Sequence, residues 1–269
     1  MKGSVAFASL VAASVVSART FTVTNSCGYT VWPAIFTDLN VGSAIPDQPT
    51  GWEAPAGSSV SFSVPDNWTA GRIWPRTQCD FSSNPGPNSC VTGGCNGGLE
   101  CDPHTGTGVP PATVAEFTLS GGGTTDNYDV SLVDGFNVPI TVTNNVGCDI
   151  PSCPTDLNPT CPSELSVADP SGKIAGCYSS CKANLDGNPA NSPNCCSGDF
   201  DVPATCPSSG VAFYDASFSV SFLRPIPQTP FFKKACPNSY AYPYDESSGT
   251  ALWYCDSSKN ADFTITFCG

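Results

Sequence analysis

The sequence predicts an all-β fold of the antiparallel sandwich or barrel type, held by disulfides. Three observations predict it. Apolar and polar residues alternate with period 2 in short runs along most of the chain. The runs are separated by turn formers, and the 269 residues include 25 Gly and 26 Pro. Finally, there are 16 cysteines, an even number, and all lie after residue 26.

The chain opens MKGSVAFASLVAASVVSA, with Lys2 giving a positive start and Val5 to Val16 forming a short apolar run. Small residues at Val16 and Ala18 precede an expected cut between Ala18 and Arg19, so residues 1–18 read as a secretory signal peptide. The run is too short to span a membrane, and no later stretch has 18 consecutive apolar residues. A secreted, extracellular or cell-wall location is expected.

The alternating runs follow in order. Phe21 and Val23 alternate with Thr20, Thr22 and Thr24, and Val60, Phe62 and Val64 alternate with serines. Residues 77–111 break the pattern with four Cys in a Gly-rich stretch, which predicts a small disulfide-bonded lobe. Alternation resumes with Ala115, Phe117 and Leu119 around Glu116, then NYDVSLVDGFN, then Val138, Ile140 and Val142. Residues 154–236, with seven Cys and many Pro, Ser and Asn, predict a second loop-rich lobe, and SELSVADPSGKIAGCYSSCKAN is read as holding a short helix. Phe263, Ile265 and Phe267 close the chain. The central sandwich is therefore assigned to 19–76, 112–153 and 237–269. The GGG at 121–123 lacks a following Gly-Lys-Ser/Thr and reads as a hairpin connection rather than a phosphate loop.

Composition excludes several function classes. Removal of Lys2 with the leader takes the formal charge from −13 to −14. Nucleic acid and anionic membranes both need a basic face, so neither is an expected partner. The even cysteine count in an oxidising compartment reads as eight disulfides. Zinc is disfavoured, because thiols oxidise on secretion and His104 is the only histidine. No metal and no cofactor are expected. Adjacent Cys195 and Cys196 should go to different partners, since a bond between neighbours carries a severe backbone cost. Pairing of Cys27 with Cys268 would close almost the whole chain, worth about 5 kcal/mol in the loop-entropy account.

Serine hydrolysis needs a base beside the serine, and His104 sits in a loop context, DPHTGTG, with no G-x-S-x-G nearby. Carboxylates remain. Glycoside hydrolysis runs on two of them, one protonating the leaving oxygen and one attacking or activating water. Glu116 stands out, because its parity puts it on the face opposite Ala115, Phe117 and Leu119 of a rigid strand. Asp129 and Asp134 lie five apart, so a straight strand would point them to opposite faces. A bend or turn near Asp134-Gly135 is needed to bring both to one site. Tyr240, Tyr242, Tyr244 and Phe136 are read chiefly as core and hairpin packing. Asn67-Trp68-Thr69 is an acceptable N-glycosylation sequon.

The stretches GRIWPRTQC, PPATVAEFTL, NYDVSLVDGFNVPITV, GCYSSC, NCCSG, ACPNSYAY and FTITFC, with the order of the sixteen cysteines, resemble the thaumatin-like proteins over essentially all of 19–269. The resemblance implies a flattened antiparallel β-sandwich of about eleven strands with two disulfide-rich lobes flanking a cleft. It implies the pairs Cys27–Cys268, Cys79–Cys90, Cys95–Cys101, Cys148–Cys255, Cys153–Cys236, Cys161–Cys177, Cys181–Cys195 and Cys196–Cys206. It also implies an acidic cleft of Arg76, Glu116, Asp129, Asp134 and Asp245. There Glu116 would be the general acid and Asp134 the base or nucleophile, while Asp129, Asp245 and Arg76 would bind sugar. The implied activity is that of an endo-β-1,3-glucanase acting on cell-wall β-1,3-glucan, from a monomer. The alternatives are a β-glucan-binding module without turnover and an antifungal or defence interaction protein.

Two departures from the family pattern stand out. Gly94 replaces an Asp that the family usually carries before the second Cys of GPNSCVTGGC. Residues 215–230, DASFSVSFLRPIPQTP, extend a spacing that is usually short. They read either as a surface insertion or as translated intron sequence.

Overall fold

The computed structural model describes residues 18–120, 123–214 and 231–269. The expected leader, save Ala18, the first two residues of the GGG run and the 215–230 segment lie outside the described residues.

The strands follow the alternating runs. They are β1 (Ala18–Asn25), β2 (Trp32–Thr37), β3 (Ser59–Pro65), β4 (Gly71–Cys79), β5 (Cys90–Thr92), β6 (Val114–Thr118) and β7 (Thr125–Ser131). After these come β8 (Ile140–Asn144), β9 (Ser152–Cys153), β10 (Ser166–Ala168), β11 (Ile174–Cys177), β12 (Trp253–Asp256) and β13 (Phe263–Phe267). One sheet has the order β3-β1-β13-β8-β9, and the other β12-β7-β6-β4-β2 with β5 paired to β4. The chain is all-β and mostly antiparallel, but β1 and β13 run parallel. The two ends of the chain thus lie side by side in the middle of one sheet, which a tight hairpin cannot achieve.

The core fills the space between the sheets. Phe21 of β1 and Phe263 of β13 meet Phe117 of β6 and Tyr128 of β7, with ring centroids 4.9 to 5.4 Å apart across the layer. All four side chains are at most 2% exposed. Each comes from the apolar parity of its strand, so the alternation in the sequence maps onto inner and outer faces. Arg19 is an exception to burial by apolar residues. Its guanidinium is buried in an ion pair with Asp126 and donates to Ser257 O, tying β1 to the second sheet.

Eight disulfides are present: Cys27–Cys268, Cys79–Cys90, Cys95–Cys101, Cys148–Cys255, Cys153–Cys236, Cys161–Cys177, Cys181–Cys195 and Cys196–Cys206. Two of them close loops within 77–111, and three lie within 154–206. Gly94 sits where a Cβ would lie 2.1 Å from Pro87 O, so this loop leaves no room for a side chain there.

Within SELSVADPSGKIAGCYSSCKAN, where a short helix is expected, residues 166–177 form the hairpin β10–β11 and the rest is turn or irregular. Asp169-Pro170-Ser171-Gly172 makes its turn: Gly172 N–H donates to Asp169 O at 2.9 Å, and Gly172 has φ +86°. Proline interrupts the helical pattern and glycine supplies the left-handed residue, which together favour the turn. The one described α-helical turn is α1 (Phe232–Ala235). Asn67 is exposed in the β3–β4 connection, while its neighbour Trp68 is buried and donates to Thr37 Oγ1 at 2.7 Å. Among the described residues, no helix is long and apolar enough to cross a membrane.

Candidate active site

The site grows from strand register. Arg72 on β4 stands opposite Glu116 on β6, and Glu116 stands opposite Asp129 on β7. Residues paired this way point to the same face of a sheet. Their chain neighbours Ile73, Ala115, Phe117, Tyr128 and Val130 are buried toward the core. The row Arg72–Glu116–Asp129 therefore lies on the outer face of the second sheet. It lines a hollow of about 370 Å3, with Phe36, Thr107, Asn127 and Leu252 around it.

Asp134 reaches this row by a turn. β7 ends at Ser131, and Gly135 N–H closes back on Leu132 O at 2.8 Å. Gly135 has φ +95°, and a Cβ there would lie 2.3 Å from Cys177 O, so only glycine fits. This turn carries Asp134 off the strand, and its Oδ2 contacts Arg72 Nη2. Asp129 and Asp134 thus flank one charge row despite being five residues apart.

Arg72 is the hub. Its Nε lies 3.0 Å from Glu116 Oε1, Nη2 meets Asp134, and Nη1 donates to Thr107 O at 3.1 Å. Lys182 Nζ lies 3.5 Å from Asp134 Oδ1, so two cations flank that carboxylate. Burial alone would lower the Arg72 pKa, but Glu116 and Asp134 overcome this and raise it. Glu116 is raised above its ordinary value by burial, with Arg72 opposing and Asp134 adding to the rise. Ser131 also hydrogen-bonds the Glu116 carboxyl. Its side chain keeps 36% exposure, so solvent still reaches it and tempers the effect.

Asp129 is 7% exposed, and its Oδ1 is buried without a hydrogen-bond partner. Burial pushes its carboxyl well above the usual range, and Glu116 pushes the same way. Arg72 pulls against this, and Glu246 adds a further upward push.

Arg76, expected on the cleft, is not there. It shares parity with Arg72 but stands opposite Trp32, four residues further along β4. It is fully buried, with Nε donating to Trp32 O at 2.9 Å, Nη1 to Gly98 O at 2.6 Å and Nη2 to Leu99 O at 2.7 Å. Burial pulls its pKa down to about 10. Gly51 makes room, since a Cβ there would lie 2.5 Å from Nη2. Arg76 ties the 77–111 segment to the sheet, and Arg72 takes the cleft position.

Asp245 is also displaced from the expected role. It is fully buried and accepts from Tyr214 Oη at 2.6 Å, Lys233 Nζ at 2.9 Å and Ala241 N–H at 2.9 Å. A carboxylate with these donors anchors the 240–245 segment rather than facing sugar. The residue after it is the one turned outward. Glu246 is exposed and accepts from Tyr240 Oη at 2.7 Å. Tyr240 is itself held beside β7, its N–H donating to Val130 O at 2.8 Å. Phe136 and Tyr242 are buried, as packing residues.

The sequence reading missed Arg72, Lys182 and Glu246. Arg72 had a usable signal, since it is the first arginine of GRIWPR and has the same parity as Arg76. Lys182 and Glu246 carried none, because each arrives from a loop outside the strand pattern.

The sequence model described as Thaumatin family matches residues 25–269. "Thaumatin-like protein 1" of Arabidopsis thaliana is 38% identical, covering 93% of this chain and 85% of that protein. "Pathogenesis-related thaumatin-like protein 3.5" of Cryptomeria japonica is 37% identical, covering 93% and 90%. A "Glucan endo-1,3-beta-glucosidase" of Prunus avium is 36% identical, covering 93% and 91%. Among solved structures, a family 64 laminaripentaose-producing β-1,3-glucanase from Paenibacillus barengoltzii, complexed with laminarihexaose, aligns with TM-score 0.54. It is 12% identical, covering 96% of this chain and 78% of that one, a likeness of fold.

Proposed function

Because the chain belongs to the thaumatin family, we propose that its outer-face charge row is a β-1,3-glucan site that cleaves the polymer with two carboxylates. The observation that carries this is the contact of Glu116 and Asp134 with one guanidinium, Arg72, on an open sheet face. Two carboxylates in unlike surroundings suit acid and base roles. Glu116, whose pKa burial raises, acts as the general acid. Asp134, between Arg72 and Lys182, supplies the anion that attacks the sugar or activates water. Asp129, beside Glu116 on the same face, offers an oxygen to a sugar hydroxyl. Arg72 holds the two working carboxylates in register with each other. The relative named as a glucan endo-1,3-β-glucosidase supports the substrate class.

Secretion agrees with eight disulfides, and the leader read in residues 1–18 would direct it.

One observation favours a second reading, binding without turnover. Both working carboxylates are already engaged by Arg72, and a guanidinium favours the ionised form of a carboxyl, so less of it carries the proton a general acid must give. Reducing-sugar release from a soluble β-1,3-glucan decides between the two. The wild type should turn over. Glu116→Gln and Asp134→Asn should each lose about 10²-fold or more. Equal activity in all three would rule out the two-carboxylate mechanism, and cleft-dependent binding with no release would select the binding reading.

A further inference from the structure

We propose that a second groove, at the Cys79 end of β4, binds a short neutral oligosaccharide independently of the acidic cleft. The groove is larger than the cleft hollow, at about 660 Å3, and shares no lining residue with it. That volume lies within the roughly 300–1,000 Å3 typical of ligand sites. It runs between the first strands of the second sheet and the β10–β11 hairpin. Tyr29, Trp32, Gln78, Asp169 and Lys173 are among its lining residues.

The chemistry of this lining matches a sugar. A pyranose has apolar C–H faces and a rim of hydroxyls. Tyr29 is 50% exposed and lines the groove, with its hydroxyl 4.0 Å from Cys268 Sγ. Trp32 is half-buried and braced edge-on by Phe81, with centroids 6.5 Å apart. Flat aromatic surface beside amides and carboxylates gives stacking and paired hydrogen bonds together. Gln78 supplies the amide. Its Nε2 donates to Asp169 Oδ2 at 3.1 Å, so an amide and a carboxylate stand side by side across the groove.

Gln78 also stands in the left-handed region, with φ +51°. Glycine would adopt that conformation without cost, whereas glutamine holds it against an unfavourable backbone energy. Among the described residues its side-chain amide has one hydrogen-bond partner, Asp169, which also lines the groove. Two carboxylates, Asp156 and Asp169, against the single cation Lys173 make an anionic ligand unsuitable. An apolar ligand would shield the Gln78 amide and the Asp156 and Asp169 carboxylates from water without offering them a hydrogen-bond partner.

Amide chemical shifts read by NMR test this, using laminarihexaose and cellohexaose as neutral probes and polygalacturonate as the anionic one. Shifts should appear at Tyr29, Gln78 and Lys173 with a neutral probe, in the wild type and equally in Glu116→Gln. Tyr29→Ala and Gln78→Gly should weaken this binding by about tenfold or more. Gln78→Gly relieves the backbone, so its melting temperature should hold or rise, which separates lost binding from lost folding. Shifts confined to Glu116 and its neighbours would overturn the second groove while leaving the cleft reading intact. Unchanged affinity in both groove variants, or a preference for polygalacturonate, would overturn it as well. Groove shifts without cleft shifts would support it and count against the cleft.

Discussion

Glu116 and Asp129 stand directly opposite each other on antiparallel β6 and β7, two carboxylates on one face of one sheet. Side chains so paired have Cβ atoms about 4.5–5.5 Å apart, and like charges there repel. Arg72 lies on the far side of Glu116 and contacts it alone of the two. The pair therefore takes up and releases protons as a unit.

Removing the Asp129 charge should stabilise the protein in a pH-dependent way. Both carboxyls are raised, so the native state holds protons that the unfolded state has released. The stability they contribute is complete below the ordinary carboxylate range and is lost as pH rises through the native values. Asp129→Asn abolishes that loss. Its melting temperature should match the wild type near pH 3 and exceed it by a few degrees near pH 7. A constant difference across the range would show that the pair does not titrate as described.

The two arginines of GRIWPR should separate cleanly by mutation. Arg76→Ala strands the carbonyls of Trp32, Gly98 and Leu99, each costing roughly 1–3 kcal/mol when buried unpaired. A large drop in denaturation midpoint is expected. Arg72→Ala should cost less than Arg76→Ala, because the carboxylates it leaves, Glu116 and Asp134, keep 36% and 20% side-chain exposure. It also removes the cation that holds the Glu116 carboxyl down, so the alkaline limb of a pH–activity profile, set by deprotonation of the general acid, should move to higher pH. The same limb in both proteins would place Arg72 outside the site's electrostatics.

Asp245 should behave as a structural carboxylate. Lys233→Met leaves it buried without its cation, which typically costs about 3–5 kcal/mol. The double variant Lys233→Met/Asp245→Leu should recover most of that. Thermal unfolding of the wild type, both single variants, Lys233→Met and Asp245→Leu, and the double variant measures the coupling, and additive losses would mean the two side chains do not act together.

The bond Cys27–Cys268 spans 241 residues of sequence and clamps the parallel β1–β13 pair. Replacing both cysteines by alanine should cost about 2–5 kcal/mol in guanidinium unfolding. Urea or guanidinium midpoints equal to wild type would show that the sheet alone holds the ends.

How far the site was readable follows from parity. Glu116 is legible because the apolar residues Ala115 and Phe117 flank it, and alternation then assigns it to the outer face. Asp129 follows by the same logic from Tyr128 and Val130. Asp134 needed the turn closed by Gly135, of which the Asp-Gly pair is only a hint. Asp245 was misplaced because its surroundings come from α1 and the loop before it, elements without periodicity. The Asp169–Gly172 turn was overlooked in favour of a weak helical pattern.

The sequence by itself determined the all-β class, the inward and outward faces of each strand, and a cysteine set suited to eight bonds. Alternation and composition are local properties, and they survive without knowledge of partners. Only the tertiary structure decided between Arg72 and Arg76. Both have the same parity, so both face the same way, and nothing local distinguishes them. Register across β4, β6 and β7 does, because it is set by long-range pairing and core packing, and it puts one arginine beside Glu116 and the other beneath a loop.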